Sequence, residues 1–189
     1  MRAHPVQPPT EVLLGALNDP RVRVRYGDAF KRAPELPQRF DAILADFPDP
    51  DRKATAKLYS AGFYRRLLGR LAPEGVFVTQ ASSLFFTPQT LACIRATLEA
   101  AVGGAVYPYR VNVPSLGPWG FVMAAQGASL SPGEPAPLPV ATEFLTPELT
   151  ASLFQMPADL PLATDGVRIN QLAHPKLVQY YHNPRWGLY

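Results

Sequence analysis

Apolar and polar positions alternate with a period of two in RVRVRYGDAF, where arginines separate Val22, Val24 and Tyr26. The pattern predicts a strand that ends at Gly27 and Asp28. A second pattern follows in FDAILADFPDP. Here Ala42, Ile43, Leu44 and Ala45 form the short apolar run of a parallel strand covered on both faces, predicted over 41–47, and Pro48 and Pro50 forbid its continuation. In KLYSAGFYRRLLGRLAPEG the spacing of Leu58, Phe63, Leu67, Leu68 and Leu71 predicts a helix, with Pro73 to Gly75 as its stop. VFVTQAS then reads as a strand and TPQTLACIRATLEAAV as a helix, with Thr87 as N-cap ahead of Pro88. VYPYRVNVPS and WGFVMAAQ read as two closing strands. Strands alternating with helices imply an α/β domain.

Parallel strands joined by helices gather their C-terminal ends along one rim, where open α/β sheets bind ligands. Asp28, Asp46 and Gln80 each fall at the end of a predicted strand, and Asp49 follows Asp46 on the proline-stiffened loop. Convergent polar side chains there point to a small-molecule pocket. Each also has a plainer reading. Asp28 suits the cap of the next helix, Gln80 suits a loop amide, and Asp49-Pro50 suits a turn.

Composition adds bounds. The chain has 189 residues, 47% of them hydrophobic, enough for one domain with a core. A formal charge of +3, with scattered basic residues, singles out neither nucleic acid nor an anionic membrane. Cys93 is the sole cysteine and lies in an apolar helical setting, which favours a buried structural thiol over a nucleophile. His4, His174 and His182 lack metal-ligand spacing, so no metal is expected. No apolar run reaches the ~20 residues of a membrane span and no signal-peptide core is visible, so a cytoplasmic setting is expected for the chain as given. Many of the 22 prolines cluster between Gly127 and Phe144. The expected organisation is a domain over 1–126, a Pro-rich linker over 127–143 and a C-terminal extension over 144–189. Within that extension LVQYYHNPRW could stack on bases, but without a basic stripe a packed segment is favoured.

In order and spacing, GDAF, FDAILADFPDP, KLYSAGFYRRLLGRLAPEGVFVTQASS and YRVNVPSLGPWGFVMAAQ resemble the successive motifs of the polyamine aminopropyltransferases, the spermidine synthase family, over about residues 17 to 126. The tail resembles the C-terminal extension of bacterial members fused to a membrane-spanning region. The resemblance implies a Rossmann-like sheet of the S-adenosylmethionine-dependent methyltransferase type. It also implies transfer of an aminopropyl group from decarboxylated S-adenosylmethionine, a co-substrate rather than a resident cofactor, to a diamine such as putrescine. Asp46 would then be the base on the attacking amine, and Asp49 would hold the cationic diamine. Asp28, with Ala29 beside it, would accept from the adenine amino group. Gln80 would lie near the active site, and Tyr59 would match an aromatic of the gatekeeping region or simply pack. The chemistry suits carboxylates, because a protonated amine has no lone pair until a neighbour takes its proton.

The resemblance also implies a glycine-rich turn and a ribose-binding acid upstream, and neither is visible before Val22. Gly15 stands alone there, and Glu11, the only acid before Asp19, sits in a helical-looking context. The expected sheet is therefore incomplete, lacking its first two strands, with apolar strand edges exposed. Three readings account for this: a fragment of a longer membrane-fused enzyme, a truncated product, or a subunit completed by another chain or copy. Two rival functions are a non-catalytic binding or assembly module and a related methyltransferase, the paired aspartates favouring amine alkylation over the latter.

Overall fold

The computed structural model describes residues 15–125, 127, 130–160, 164 and 166–183; His4, Glu11, Arg185 and Trp186 lie outside them. The chain order is α1 (Ala29–Arg32), β1 (Phe40–Ala45), α2 (Lys53–Ala56), α3 (Ala61–Leu68), β2 (Leu71–Ser83), α4 (Pro88–Val102), β3 (Val106–Val113), β4 (Gly117–Ala125), α5 (Pro147–Ser152) and α6 (Lys176–Tyr181), with 3-10 turns at Ala33–Glu35 and Lys57–Tyr59. The sheet has four strands in the order β1-β2-β4-β3. β1 runs parallel to β2, and β4 runs antiparallel to both β2 and β3, so β1, β2 and β3 point the same way.

The core lies on one face of this sheet. Phe77 and Ala81 of β2 and Val122 and Ala124 of β4 are buried against Phe63, Tyr64 and Leu67 of α3 and Leu91, Ile94 and Leu98 of α4. Tyr64 and Phe77 meet edge to face with ring centroids 5.5 Å apart. Leu177 of α6 joins the same cluster, so the C-terminal extension shares the core. Part of the opposite face is covered as well. There Tyr109 stacks on Phe121 and touches Phe154, while Arg110 donates from its backbone N–H to the carbonyl of Leu153.

Four local expectations need correction. The alternating segment from Val22 to Tyr26 is not a strand, and Tyr26 is 87% exposed. Alternation yields a strand only where a neighbour completes its hydrogen-bond ladder, and none of the described strands pairs with it. β1 is not covered on both faces. Among the described strands it is the sheet's edge, and Leu44 is 75% exposed. The predicted single helix is broken at Ser60, whose extended backbone separates the 3-10 turn from α3, and it ends at Gly69. Pro73 to Gly75 instead form an irregularity inside β2, with Glu74 at φ 63°; a Cβ on Gly75 would lie 3.0 Å from the Phe40 carbonyl. Finally, Thr87 occupies the N-cap position of α4 without a side-chain cap. Its hydroxyl bonds Ser82 Oγ and the Ser83 carbonyl.

Cys93 is buried and donates from Sγ to the Arg168 carbonyl at 3.3 Å. Burial pushes the thiol up from its ordinary 9.0 to about 12, with a smaller opposing effect of Thr97. Because the folded value is raised, the thiol contributes stability below pH 9 that is lost as pH rises toward 12. At pH 8 a disulfide reagent should therefore label the native chain roughly a hundredfold more slowly than the urea-unfolded chain. Equal rates would contradict the burial.

Candidate active site at the mouth of the parallel strands

β1 ends in buried Ala45, and the loop Asp46 to Pro50 leaves the sheet where Pro50 is also buried. What fixes this loop is a set of buried polar groups beneath it. Phe47 packs on Tyr59 and Phe63, with centroids 5.6 and 5.9 Å away. The carbonyls of Phe47 and Pro48 both accept from Tyr59 Oη at 3.1 Å. Gln80 Nε2 donates to the Phe47 carbonyl at 2.8 Å, to Asp49 Oδ1 at 3.3 Å and to Tyr59 Oη. Gln80 Oε1 accepts from Ser82 N–H at 2.8 Å and from Trp119 Nε1 at 3.1 Å. One carboxamide thus joins the loop, the 3-10 turn, β2 and β4.

Gln80 can reach these partners because β2 is irregular there. The pairing of β2 with β4 shifts register between Gln80 and Ser83, and Ser82 has φ 66°. Bulges re-aim side chains at strand ends, and a non-glycine residue at positive φ is held there only by its surroundings. Gly120 faces the bulge across the sheet, where a Cβ would come within 3.3 Å of the Ser82 carbonyl. Bulge, Gly120 and Gln80 therefore form one device.

Asp49 is half-buried, and its second oxygen accepts from Tyr181 Oη at 3.1 Å. Tyr181 belongs to α6, and its neighbour His182 places Nε2 2.6 Å from the Asp51 carbonyl. Burial, then the charge of Asp49 and its hydrogen bond, push the Tyr181 phenol up to about 12. Burial also drives Tyr59 far above its ordinary value, with Tyr64 and Asp49 adding to the shift. Both phenols remain neutral donors at neutral pH. Asp46 is exposed, and among the described residues no hydrogen bond or ion pair engages it. A cavity of about 400 Å³ opens beside Asp49, walled by Ser82, Phe86, Trp119, Tyr181 and His182.

Asp28 stands apart from this network but is linked to it. It caps α1, accepting from Phe30 N–H at 2.9 Å, and its other oxygen lies 3.4 Å from Lys57 Nζ. Lys57 opens the same 3-10 turn that Tyr59 closes. Ala29 lines a separate cavity of about 460 Å³ together with Gly27, Arg32 and Leu36. The structure therefore joins Asp49, Gln80 and Tyr59 directly, and attaches Asp28 to them through one turn. Sequence reading missed Tyr181 and Trp119. Both arrive from distant parts of the chain, and only their place within YYHN and GPWGF hinted at a role.

Gln80→Ala would strand the Trp119 indole N–H and the Ser82 N–H. Leaving the buried Ser82 N–H and the half-buried indole N–H unpaired should cost about 1–3 kcal/mol, read as a lower urea midpoint. A loss within ~0.5 kcal/mol, the range of an ordinary surface change, would contradict the hub.

Known proteins resemble this chain in sequence and in fold. The spermine/spermidine synthase domain profile matches residues 10–131. Polyamine aminopropyltransferase 2 of Ralstonia nicotianae is 38% identical over 174 residues, covering 92% of this chain and 33% of the relative. Polyamine aminopropyltransferase 1 of Streptomyces coelicolor is 38% identical over 178 residues, covering 94% of this chain and 33% of the relative. The chain thus spans about a third of the length of these curated relatives. Among solved structures, spermidine synthase from Thermotoga maritima superposes with a TM-score of 0.68 at 18% identity, over 82% of this chain and 54% of that one. A spermidine synthase in complex with the transition-state analogue AdoDATO gives 0.69 at 17% identity, over 82% and 55%. These likenesses show the fold, that of the S-adenosylmethionine-dependent methyltransferases. The profile and the sequence relatives carry the conclusion further: the chain belongs to the spermine/spermidine synthase family.

Proposed function

We propose that this chain carries the amine half of an aminopropyl-transfer site, acting on putrescine or a similar diamine with decarboxylated S-adenosylmethionine as co-substrate. One observation carries the reading. Asp49 is held by neutral donors, Gln80 and Tyr181, beside an unengaged Asp46, so a carboxylate pair stands at the strand mouth with its charge uncompensated. Two anions on a stiffened loop attract a dication and fix its reacting end.

The division of labour follows. Asp49 holds the diamine as a cation, its position set by Gln80 and Tyr181. Asp46 takes a proton from the attacking nitrogen, freeing the lone pair. That pair attacks the aminopropyl methylene bonded to sulfur, the carbon–sulfur bond breaks, and its electrons go to sulfur. The sulfonium becomes neutral methylthioadenosine, so no large anionic charge develops, and holding the nucleophile in line supplies much of the rate. Tyr59 and Gln80 support the loop from below, where both are buried. Asp28 and Ala29 would serve the adenine end from the far side of the Lys57–Tyr59 turn.

A second reading, a non-catalytic diamine-binding or assembly module, draws on the edge position of β1 among the described strands, the side where the family resemblance puts the donor's glycine-rich turn. Among the described residues no helix is long and apolar enough to cross a membrane.

Asp46→Asn separates the readings when turnover is followed from labelled donor to putrescine, in this chain and in a form extended upstream. The predicted result is a fall in kcat/KM of about 10²–10⁴ with diamine binding kept. Undiminished turnover would overturn the assignment of the base, and absence of turnover from both forms would favour the binding module.

A further inference from the structure

The site borrows Tyr181 from a helix near the end of the chain, so something must fix that helix against the loop. α6 has only six residues and cannot hold its own geometry. Its anchor is Asn170, which is fully buried. All four of its polar groups are engaged, each by a different part of the fold. Its N–H donates to Thr97 Oγ1 of α4 at 2.9 Å, and its carbonyl accepts from Ala61 N–H at the start of α3 at 3.0 Å. Its Nδ2 donates to the Ala56 carbonyl at 2.8 Å, at the end of α2, and its Oδ1 accepts from Leu177 N–H in the first turn of α6 at 3.2 Å. Partner chemistry fixes the amide orientation, since a carbonyl can only accept and an N–H can only donate.

Ala56 immediately precedes the Lys57–Tyr59 turn that supports the aspartate loop, and Leu177 lies one helical turn before Tyr181. A single carboxamide therefore spans the two structures that must meet at Asp49. We infer that Asn170 is a positioning residue for the amine site, holding α6 against the end of α2 so that Tyr181 stays on Asp49. The inference rests on the proposed function for its consequence, but the positioning itself can be read without turnover. Neither aspartate nor serine can reproduce the bond pattern. Aspartate turns the donor facing the Ala56 carbonyl into an acceptor, and serine is too short to reach both partners.

The test uses the whole 189-residue chain labelled with ¹³Cζ-tyrosine, and the Tyr181 resonance is assigned by its loss in Tyr181→Phe. The groups facing the phenol are Asp49, Asp51 and the His182 ring. At pH 10.5 a phenol titrating near 12 is about 3% ionised, and one at its ordinary 10.0 about 75%. Tyr181 should be almost wholly protonated in the native chain. In Asn170→Ser and Asn170→Asp it should be mostly ionised, while Tyr59 and Tyr64 stay protonated. Putrescine binding, followed by calorimetry, should weaken roughly tenfold in both variants and to the same extent in Tyr181→Phe, without further loss in the double variant.

Three outcomes would overturn the positioning role: Tyr181 ionised already in the native chain, Tyr181 still protonated in both variants, or Tyr59 and Tyr64 ionising together with it. The last would show Asn170 holding the whole core and not α6 alone. A native chain that fails to bind putrescine, yet shows the selective Tyr181 response, would remove the proposed function and leave the positioning intact.

Discussion

The buried carboxamide of Gln80 is the constraint on which the site depends. Placed at the C-terminal end of β2 and almost wholly out of solvent, it must find protein partners for its oxygen and both amide hydrogens. It finds them in the Phe47 carbonyl, Asp49, Tyr59, Trp119 and the backbone of its own bulge. The loop after β1, the turn before α3, the start of β4 and the positive φ of Ser82 are thereby set together. The loop proposed to hold the amine is thereby fixed from below, through its backbone carbonyls, the Phe47 ring and the Asp49 carboxylate.

The electrostatics follow from the same arrangement. Every described donor to Asp49 is neutral, and burial keeps both phenols near the loop protonated. Positioning is therefore achieved without cancelling the carboxylate's charge. At the Lys57–Asp28 ion pair, by contrast, the acid caps α1 and the ammonium also lies 4.9 Å from the centroid of the Phe30 ring. The molecule thus separates an acid that is compensated from a pair that is not, the arrangement the proposed binding of a dication calls for. Trp119, Phe86 and Tyr181 give that cavity aromatic walls, suited to an alkyl chain between two charges.

Much of this was legible in the sequence. The strand before the aspartate loop, read to Phe47 and ending at Ala45, the helix over Pro88–Val102 and the last two strands followed from periodicity and from proline and glycine placement. What escaped was whatever depends on a neighbour. Val22, Val24 and Tyr26 have a strand's alternation, but alternation says nothing about whether a ladder partner is present. Leu44 belongs to a run that reads as doubly buried, yet it lies on the open edge of β1. Ser60 breaks a helix whose apolar spacing runs straight through it, because its hydroxyl satisfies the Lys57 carbonyl and Asn170 supplies the acceptor for Ala61 N–H. Tyr181 and Asn170 reach the site from more than a hundred residues away, and no local pattern encodes such a contact.

The most direct test of the account is a crystal structure of the chain with bound putrescine. It predicts one ammonium nitrogen within about 3 Å of both the Asp46 and Asp49 carboxylates, with the alkyl chain along Trp119 and Tyr181 still bonded to Asp49. A diamine bound elsewhere on the surface, or one whose nitrogens touch neither aspartate, would contradict the claim that this loop was built to hold an amine.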